Sequence, residues 1–236
     1  MKIHPFADAP AAANACASAI LALLEQAIEA RGSATLAISG GSSPRLMFEI
    51  FARDPFAWDK VHLFWVDERV VPPTDPQSNF KLAADTWLTP AKFPEENIHR
   101  VEAELGAEPA AERYKEEIRH QFKLEGDLPN FDVVHRGMGP DGHTASLFPG
   151  EPLIENLSGI AAAVWVEKMH QWRVTLLRGV LEAARHTVML VTGADKAAML
   201  HSVLKTAYDP SRYPVQIASL TDTAEWFVDR DASSKL

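Results

Sequence analysis

Short apolar runs alternate with helical patterns along most of this chain of 236 residues. The run at 61–66, Val-His-Leu-Phe-Trp-Val, is almost continuously apolar, as a parallel strand covered on both faces is. Strand patterns also occur at residues 35–39, 131–136, 159–167, 186–192 and 224–229. Strands that alternate with helices form parallel sheets between helical layers, so the sequence predicts an α/β fold with a mostly parallel sheet and helices on both faces.

Helical spacing fills the segments between these strands. The predicted helices are residues 9–30, 45–53, 79–88, 108–123, 174–184 and 194–206. Gly32 ends the first helix, and Ser43 and Ser78 are the expected N-caps of the second and third. Residues 67–77 read as a loop with three prolines, and 214–220 as a turn into a short extended piece. No stretch resembles a linker or a repeat, so we expect residues 1–236 to form one domain.

Composition limits the partners. Hydrophobic residues make up 47% of the chain and the formal net charge is -9, which disfavours nucleic acid and anionic membranes. The single cysteine, Cys16, excludes an intrachain disulfide and a cysteine zinc site. We expect no signal peptide and no membrane-spanning segment, because the apolar runs are shorter than the roughly 18 residues that a span needs. The sequence therefore predicts a cytoplasmic protein.

Residues 137–150 are the richest in turn residues, with four glycines and two prolines around Asp141 and His143. They follow a predicted strand, and loops in that position carry chemistry in α/β proteins. His143 is the side chain there that both takes and gives a proton near neutral pH, which makes it a candidate catalytic residue. Asp141 either orients His143, binds substrate hydroxyls or satisfies loop amides. No other histidine lies at metal-ligand spacing from His143, so zinc is not favoured.

Further candidate residues follow predicted strands or lie at the starts of predicted helices. They are Gly40, Gly41, Ser42, Ser43, Asp67, Arg69, Arg173 and Lys196. The glycine–serine turn either presents amides to an anion or is an ordinary helix start; it is not a P-loop. The charged run 67–69 either faces a ligand or is a solvated loop. Lys196 is either an anion ligand or an ordinary surface residue.

These residues would meet at one place, because the carboxyl ends of parallel strands lie on one edge of a sheet. Cations and backbone amides suit a phosphate, a carboxylate suits hydroxyl groups, and a histidine suits proton transfer. The sequence therefore predicts a site for a phosphorylated sugar at that edge.

The motifs resemble those of the 6-phosphogluconolactonases, in the sugar-phosphate isomerase/deaminase-like superfamily, along nearly the whole chain. The residues that carry the resemblance are 38–44, 65–73 with Ser78-Asn79, 137–150, 173–176 and 193–197. It implies a modified Rossmann-like fold without a nucleotide, and hydrolysis of 6-phospho-D-glucono-1,5-lactone to 6-phosphogluconate in the oxidative pentose phosphate pathway. It implies no metal or organic cofactor, a small-molecule partner only, and a monomer or small homo-oligomer.

The resemblance also implies roles for single residues. His143 is the general base that activates water, and it returns a proton to the ring oxygen. Amides near Gly40 and Gly41, or Arg69, stabilise the oxyanion. The remaining candidates are assigned to the phosphate (Arg173 and Lys196, aided by Ser42 and Ser43) and to positioning of hydroxyls or of the histidine (Asp67 and Asp141).

Two other functions stay open on the sequence. Aminosugar-6-phosphate deaminases/isomerases share the Gly-x-Asp-Gly-His loop, but they carry a glutamate where this chain has Phe148. A non-catalytic sugar-phosphate sensor would be accompanied by a DNA-binding segment, which this sequence lacks. His135 and Arg136 replace residues that are usually apolar in the lactonases; they either reach the end of the sheet or need partners, and the sequence offers no explanation for them. Leu177 replaces a common threonine, a change that would alter a hydrogen bond supporting the site.

Overall fold

The computed structural model describes residues 1–236, which form ten strands and six α-helices. The strands are β1 (Lys2–Phe6), β2 (Ala34–Ile38), β3 (Val61–Trp65), β4 (Asp67–Arg69), β5 (Ile98–His99), β6 (Val133–Arg136), β7 (Ala161–Val166), β8 (Gln171–Leu176), β9 (His186–Val191) and β10 (Ala224–Asp229). The helices are α1 (Ala9–Arg31), α2 (Ser42–Phe51), α3 (Asn79–Ala83), α4 (Ala107–Phe122), α5 (Arg178–Ala183) and α6 (Ala197–Lys205).

Seven strands form a large sheet in the order β1-β10-β9-β6-β2-β3-β5, and all its neighbouring strands are parallel. The predicted mostly parallel sheet is therefore confirmed. The chain runs outwards from β2 through β3 to β5, and in the other direction from β6 through β9 to β10. The connections of the neighbours β2 and β6 thus leave in opposite directions, and such a point opens a crevice at the carboxyl ends of the strands.

A small antiparallel sheet, β4-β8-β7, lies beyond the end of β3. Val66, the one residue between β3 and β4, links the two sheets. Its N–H donates to the carbonyl of Ile38 in the large sheet (2.8 Å), and its own carbonyl accepts from the N–H of Leu176 in the small sheet (2.8 Å). The small sheet is thereby fixed beside the crevice.

Side chains of the large sheet alternate between two hydrophobic layers. Leu36 and Ile38 of β2 pack with α1 and α2, whereas Ala37 packs with α4, α5 and the small sheet. Both faces of the sheet are therefore covered, as the sequence predicts.

Helix α1 differs from what the sequence predicts about membrane spans. It is 23 residues long and contains an 18-residue window of mean hydropathy 1.4, so by length and composition it would be able to cross a membrane. Its buried residues, Ala12, Ala13, Cys16, Ala17, Ile20, Leu24 and Ala27, pack in the core against α2 and the large sheet. The apolar stripe of α1 thus has a partner within this fold.

Several helix starts differ from the predicted ones. Residues 174–176 belong to β8, and the helix begins only at Arg178, because the β-branched Val174 and Thr175 extend an antiparallel strand. Helix α2 begins at Ser42 with Gly41 as N-cap, so the prediction of Ser43 as the cap is wrong. Ser78 does cap α3, and its hydroxyl accepts from the N–H of Lys81 at 3.0 Å.

The predicted strands also need correction. Residues 67–69, predicted as part of a loop, are β4, because they pair with β8. The short edge strands β1 and β5 have no counterpart in the prediction. The turn predicted from residue 214 is present as a 3₁₀ turn at residues 214–216, but residues 217–220 form a further turn and a bend instead of an extended piece. The predictions for β2, β3, β6, β7, β9 and β10 are confirmed to within about two residues at each end, which is the usual uncertainty of such boundaries.

Candidate active site

A cavity of about 240 Å³ lies at the carboxyl edge of the large sheet, beside the small sheet. Twenty-one residues line it, and only four of them are hydrophobic, which suits a polar ligand. The lining contains every residue of the predicted site except one: Gly40, Gly41, Ser42, Ser43, Asp67, Arg69, His143, Arg173 and Lys196. Asp141 is the exception. The segments after β2, β3, β6 and β9 meet here because these strands are neighbours in the sheet.

The loop after β6 holds His143 by its ring and by its backbone. The Nδ1 atom lies 2.5 Å from Oδ1 of Asp141, and the backbone carbonyl accepts from the N–H of Gly139 (2.9 Å). A Cβ atom at Gly139 would lie 1.9 Å from Nδ1, so only glycine leaves room for the ring here. With Nδ1 engaged, Nε2 is the nitrogen that remains for a ligand.

Asp141 supports His143 from outside the cavity. Partial burial raises the pKa of Asp141, but hydrogen bonds from His143 and Lys168 outweigh burial and hold the pKa well below its usual range. The carboxylate is therefore ionised near neutral pH. On its other side, His143 stacks on Phe148, with ring centroids 4.2 Å apart. Of the roles considered for Asp141, the geometry fits orientation of the histidine.

Asp67 and Arg173 face each other across β4 and β8. Oδ2 of Asp67 accepts from the hydroxyl of Ser146 at 2.6 Å and lies 3.5 Å from Nη1 of Arg173. Both side chains are buried. Burial lowers the pKa of Arg173, the charge of Asp67 opposes this, and the charge of Arg69 adds to it.

Arg69 lies directly opposite Arg173 in the strand register. Like charges in that position repel each other, so an anion between them would be stabilising. Arg69 Nη1 donates to the carbonyl of Gln77 at 2.5 Å, which holds the guanidinium at the cavity wall. The two arginines thus form a local basic wall in an acidic protein.

Glu68, between Asp67 and Arg69, has a different task. Its buried carboxylate accepts from the N–H groups of Arg69, Asn79 and Phe80 and from the hydroxyl of Ser78, at 2.7 to 3.0 Å. Burial raises the pKa of Glu68, while these hydrogen bonds act in the opposite direction. Glu68 holds the start of α3 and, with it, Asn79. The charged run is therefore neither a solvated loop nor wholly a ligand site.

Among the lining residues outside the predicted set, Ser39 and Asn79 carry buried polar atoms without a partner. These atoms are the hydroxyl oxygen of Ser39 and Oδ1 of Asn79. The Asn79 amide is fixed by its bond to the carbonyl of Asp67 (2.9 Å), and a Cβ atom at Gly40 would lie 1.9 Å from its Oδ1. Ser39 lies inside the glycine–serine run and Asn79 follows a capping serine, which is the signal that could have found them.

The phosphate candidates border the same cavity. Helix α2 begins at Ser42, and the hydroxyl of Ser43 lies 2.6 Å from that of Thr192 at the end of β9. Lys196 ends a 3₁₀ turn before α6, and its Nζ lies 2.7 Å from Asp195. A helix start with its free amides beside a lysine and arginines is a suitable anion site. No group of three or more metal-ligating side chains is present.

Comparison with known proteins supports a single family. The family model described as glucosamine-6-phosphate isomerases/6-phosphogluconolactonase matches residues 7–227. A 6-phosphogluconolactonase from Synechocystis is 36% identical over 215 residues, which cover 90% of this chain and 89% of the relative.

Solved structures agree in fold. The 6-phosphogluconolactonase from Thermotoga maritima superposes with a TM-score of 0.84 at 28% identity, covering 97% of this chain and 99% of its own. A monomeric glucosamine-6-phosphate deaminase superposes equally well, with a TM-score of 0.85 over the full length of both chains, but at 16% identity it supports the fold alone. By sequence and by architecture, this chain belongs to the family of glucosamine-6-phosphate isomerases and 6-phosphogluconolactonases.

Proposed function

We propose that this chain is a 6-phosphogluconolactonase, which hydrolyses 6-phospho-D-glucono-1,5-lactone to 6-phosphogluconate. The observation that carries the proposal is the surroundings of His143. The imidazole is oriented by an ionised carboxylate, opens on a cationic cavity and stacks on Phe148, which does not titrate. His143 can therefore serve as a base for the one proton that hydrolysis moves, and position 148 supplies no second acid–base group.

The proposed reaction begins with a water molecule between His143 and C1 of the lactone. His143 takes a proton from this water as its oxygen attacks C1, and Asp141 stabilises the imidazolium that results. The carbonyl oxygen becomes an oxyanion, which amides near Gly40 and Gly41, or Arg69, stabilise. The bond between C1 and the ring oxygen then breaks, and His143 returns the proton to that oxygen.

The phosphate is proposed to bind opposite the histidine. Arg173 and Lys196 supply charge, and the start of α2 at Ser42 and Ser43 supplies amides and hydroxyls. Asp67 is proposed to hold Arg173 in place, since its carboxylate is already engaged by that arginine and by Ser146. This proposal replaces the expectation that Asp67 positions hydroxyl groups or the histidine.

The aminosugar-phosphate deaminase reaction remains the alternative in this family. It requires proton relay during ring opening, which the resemblance assigns to a glutamate at the position of Phe148. A phenyl ring cannot carry a proton, and the relative from Synechocystis reported above carries the lactonase name. We also propose that residues 1–236 act as one domain; the cytoplasmic location and a monomer or small oligomer stay predictions.

Acid release from freshly prepared 6-phosphogluconolactone, with spontaneous hydrolysis subtracted, tests the function. We expect rapid release by the wild-type protein and no ammonia from glucosamine 6-phosphate. A matched variant, Phe148→Glu, tests whether this residue separates the two reactions. Ammonia release by the wild type without lactone hydrolysis would reverse the assignment, and activity on neither substrate would favour the sensor.

A further inference from the structure

Lys168 contacts both supports of His143. It lies in the turn that joins β7 and β8, and its ammonium group donates to Oδ2 of Asp141, the carboxylate oxygen that His143 does not use. The same nitrogen lies 5.1 Å above the ring of Phe148, on which the imidazole stacks. Lys168 itself does not line the cavity.

The turn that carries Lys168 is held in place. The indole N–H of Trp165 donates to Glu167 at 2.6 Å, and Gln171 donates to the side chain of Gln77 at 2.9 Å. The side chain of Lys168 is 49% exposed, and an ion pair at that exposure contributes little to folding stability. Folding stability therefore does not explain the ion pair between Lys168 in this turn and Asp141 in the loop after β6.

We propose that Lys168 is a positioning residue for the pair formed by His143 and Asp141. By binding one oxygen of the carboxylate, it fixes the rotation of the group so that the other oxygen faces Nδ1. Its charge also offsets part of the charge of Asp141 beside the imidazole. The kinetic consequences of this inference rest on the proposed lactonase function, whereas the positioning of Asp141 and His143 does not.

The direction of the effect follows from the charges near the imidazole. Asp141 and Lys168 are the charged groups in the immediate surroundings; those that share the cavity wall with His143 are Asp67, Arg69, Arg173 and Lys196. Loss of one positive charge close to the ring favours the protonated form. The acid limb of the profile of kcat/KM against pH should therefore move to higher pH by about 0.5 to 1 unit.

The test compares three variants. Lys168→Met keeps the length of the side chain without its charge, Lys168→Arg keeps the charge, and Lys60→Met removes another exposed lysine that lies beside an aspartate. We expect Lys168→Met to lower kcat about tenfold near pH 6.5, with KM changed less than twofold and the acid limb shifted. The other two variants should keep the wild-type profile. An unshifted profile in Lys168→Met would overturn the inference.

A second readout does not depend on activity. The titration midpoint of the His143 ring, followed by NMR, should rise in Lys168→Met by the same amount as the acid limb. In an Asp141→Asn background, Lys168→Met should change kcat less than twofold, because the residue acts through that carboxylate. An unmoved midpoint in Lys168→Met contradicts the role of Lys168. A midpoint that rises in the variant while the wild-type protein hydrolyses no lactone contradicts the proposed function instead.

Discussion

The end of strand β6 separates two pairs of titratable residues with opposite fates. His135 and Arg136 are the last residues of the strand, and Asp141 and His143 lie in the loop that follows it. The loop pair is hydrogen-bonded, and its histidine opens on a cavity. The strand pair is completely buried and mostly without partners, although it too contains a histidine.

The strand pair is constrained by the pleat of the sheet. His135 points with Val133 toward the layer of α1 and α2, and Arg136 points with Val134 toward the other layer. Neither ring nitrogen of His135 has a partner. Arg136 donates to the carbonyl of Ile217, and two of its other nitrogens have no partner.

The pKa values record the difference. Burial, with the neighbouring charge of Arg136, lowers the pKa of His135 to about 3, and burial lowers the pKa of Arg136 to about 10. Asp141 is instead held in its charged form by its partners. We therefore expect a titratable residue to be usable for chemistry where the backbone leaves the ladder and hydrogen-bond partners can gather. One step inside the sheet, the same residue type reduces stability.

The largest effect is expected at the loop histidine. His143→Asn removes the proposed base but keeps a polar side chain, so kcat for lactone hydrolysis should fall about 10³-fold. The melting temperature should change little, since the ring of His143 borders the cavity. His135→Leu is the matched control inside the sheet and should keep kcat within about threefold. Comparable losses in both variants would remove the distinction between the two pairs.

The next effect is expected at the carboxylate. Asp141→Asn keeps the shape of the side chain but removes the charge that orients and stabilises the imidazolium, so kcat should fall about 10²-fold. KM should change less than twofold, because Asp141 does not line the cavity. Steady-state kinetics separate the two parameters. A rise in KM with kcat preserved would mean that Asp141 binds hydroxyl groups rather than the histidine.

Much of this site could be predicted from the sequence because it follows strand ends. The parallel sheet, the loop with His143 and the cations were all readable from local patterns. What brings Asp67 to Arg173 was not, because that contact depends on the antiparallel pairing of β4 with β8. Residues 174–176 had been assigned to a helix, so the small sheet had no central strand in the prediction.

Long-range partners explain the remaining gaps. Asn79 is held beside Gly40 by two residues of a different element: Glu68 binds its backbone N–H, and the carbonyl of Asp67 binds its side-chain amide. Lys168 reaches Asp141 from the far end of a hairpin. No spacing within a segment records such contacts, since they depend on the register of strands that are distant in sequence. The resemblance to the lactonases indicates roles for single residues, whereas the residues that hold them in place are visible only in the folded structure.

The third prediction concerns acid stability. His135 is neutral in the fold and has an ordinary pKa when unfolded, so the unfolded state binds more protons below about pH 6.5. Above that pH the titration of His135 costs no stability, and the free energy of unfolding decreases as the pH falls from there toward about 3. Between pH 7 and pH 5 the free energy of unfolding should decrease by about 2 kcal/mol through this residue.

His135→Leu should abolish that part of the pH dependence. Urea unfolding of both proteins at pH 7 and pH 5 measures it. His62 and His186, whose pKa values are also lowered first by burial, leave a smaller dependence of the same sign in the variant. Equal decreases in the wild type and the variant would show that His135 has a partner in solution.

The smallest effect is expected at Arg136. Its depressed pKa means that the fold disfavours the charge at every pH below about 10, and no carboxylate lies within bonding distance to compensate. Arg136→Met keeps the aliphatic stem and removes the charge, at the expense of one hydrogen bond to Ile217, so the free energy of unfolding at pH 7 should rise by about 1 kcal/mol.

Arg173→Met is the contrasting control: it leaves Asp67 buried without its cation and should lower the same free energy by about 3 kcal/mol. Urea unfolding at pH 7 decides, and a loss of stability in Arg136→Met would mean that its bond to Ile217 fixes the segment that contacts the His143 loop through Val215 and Gly142.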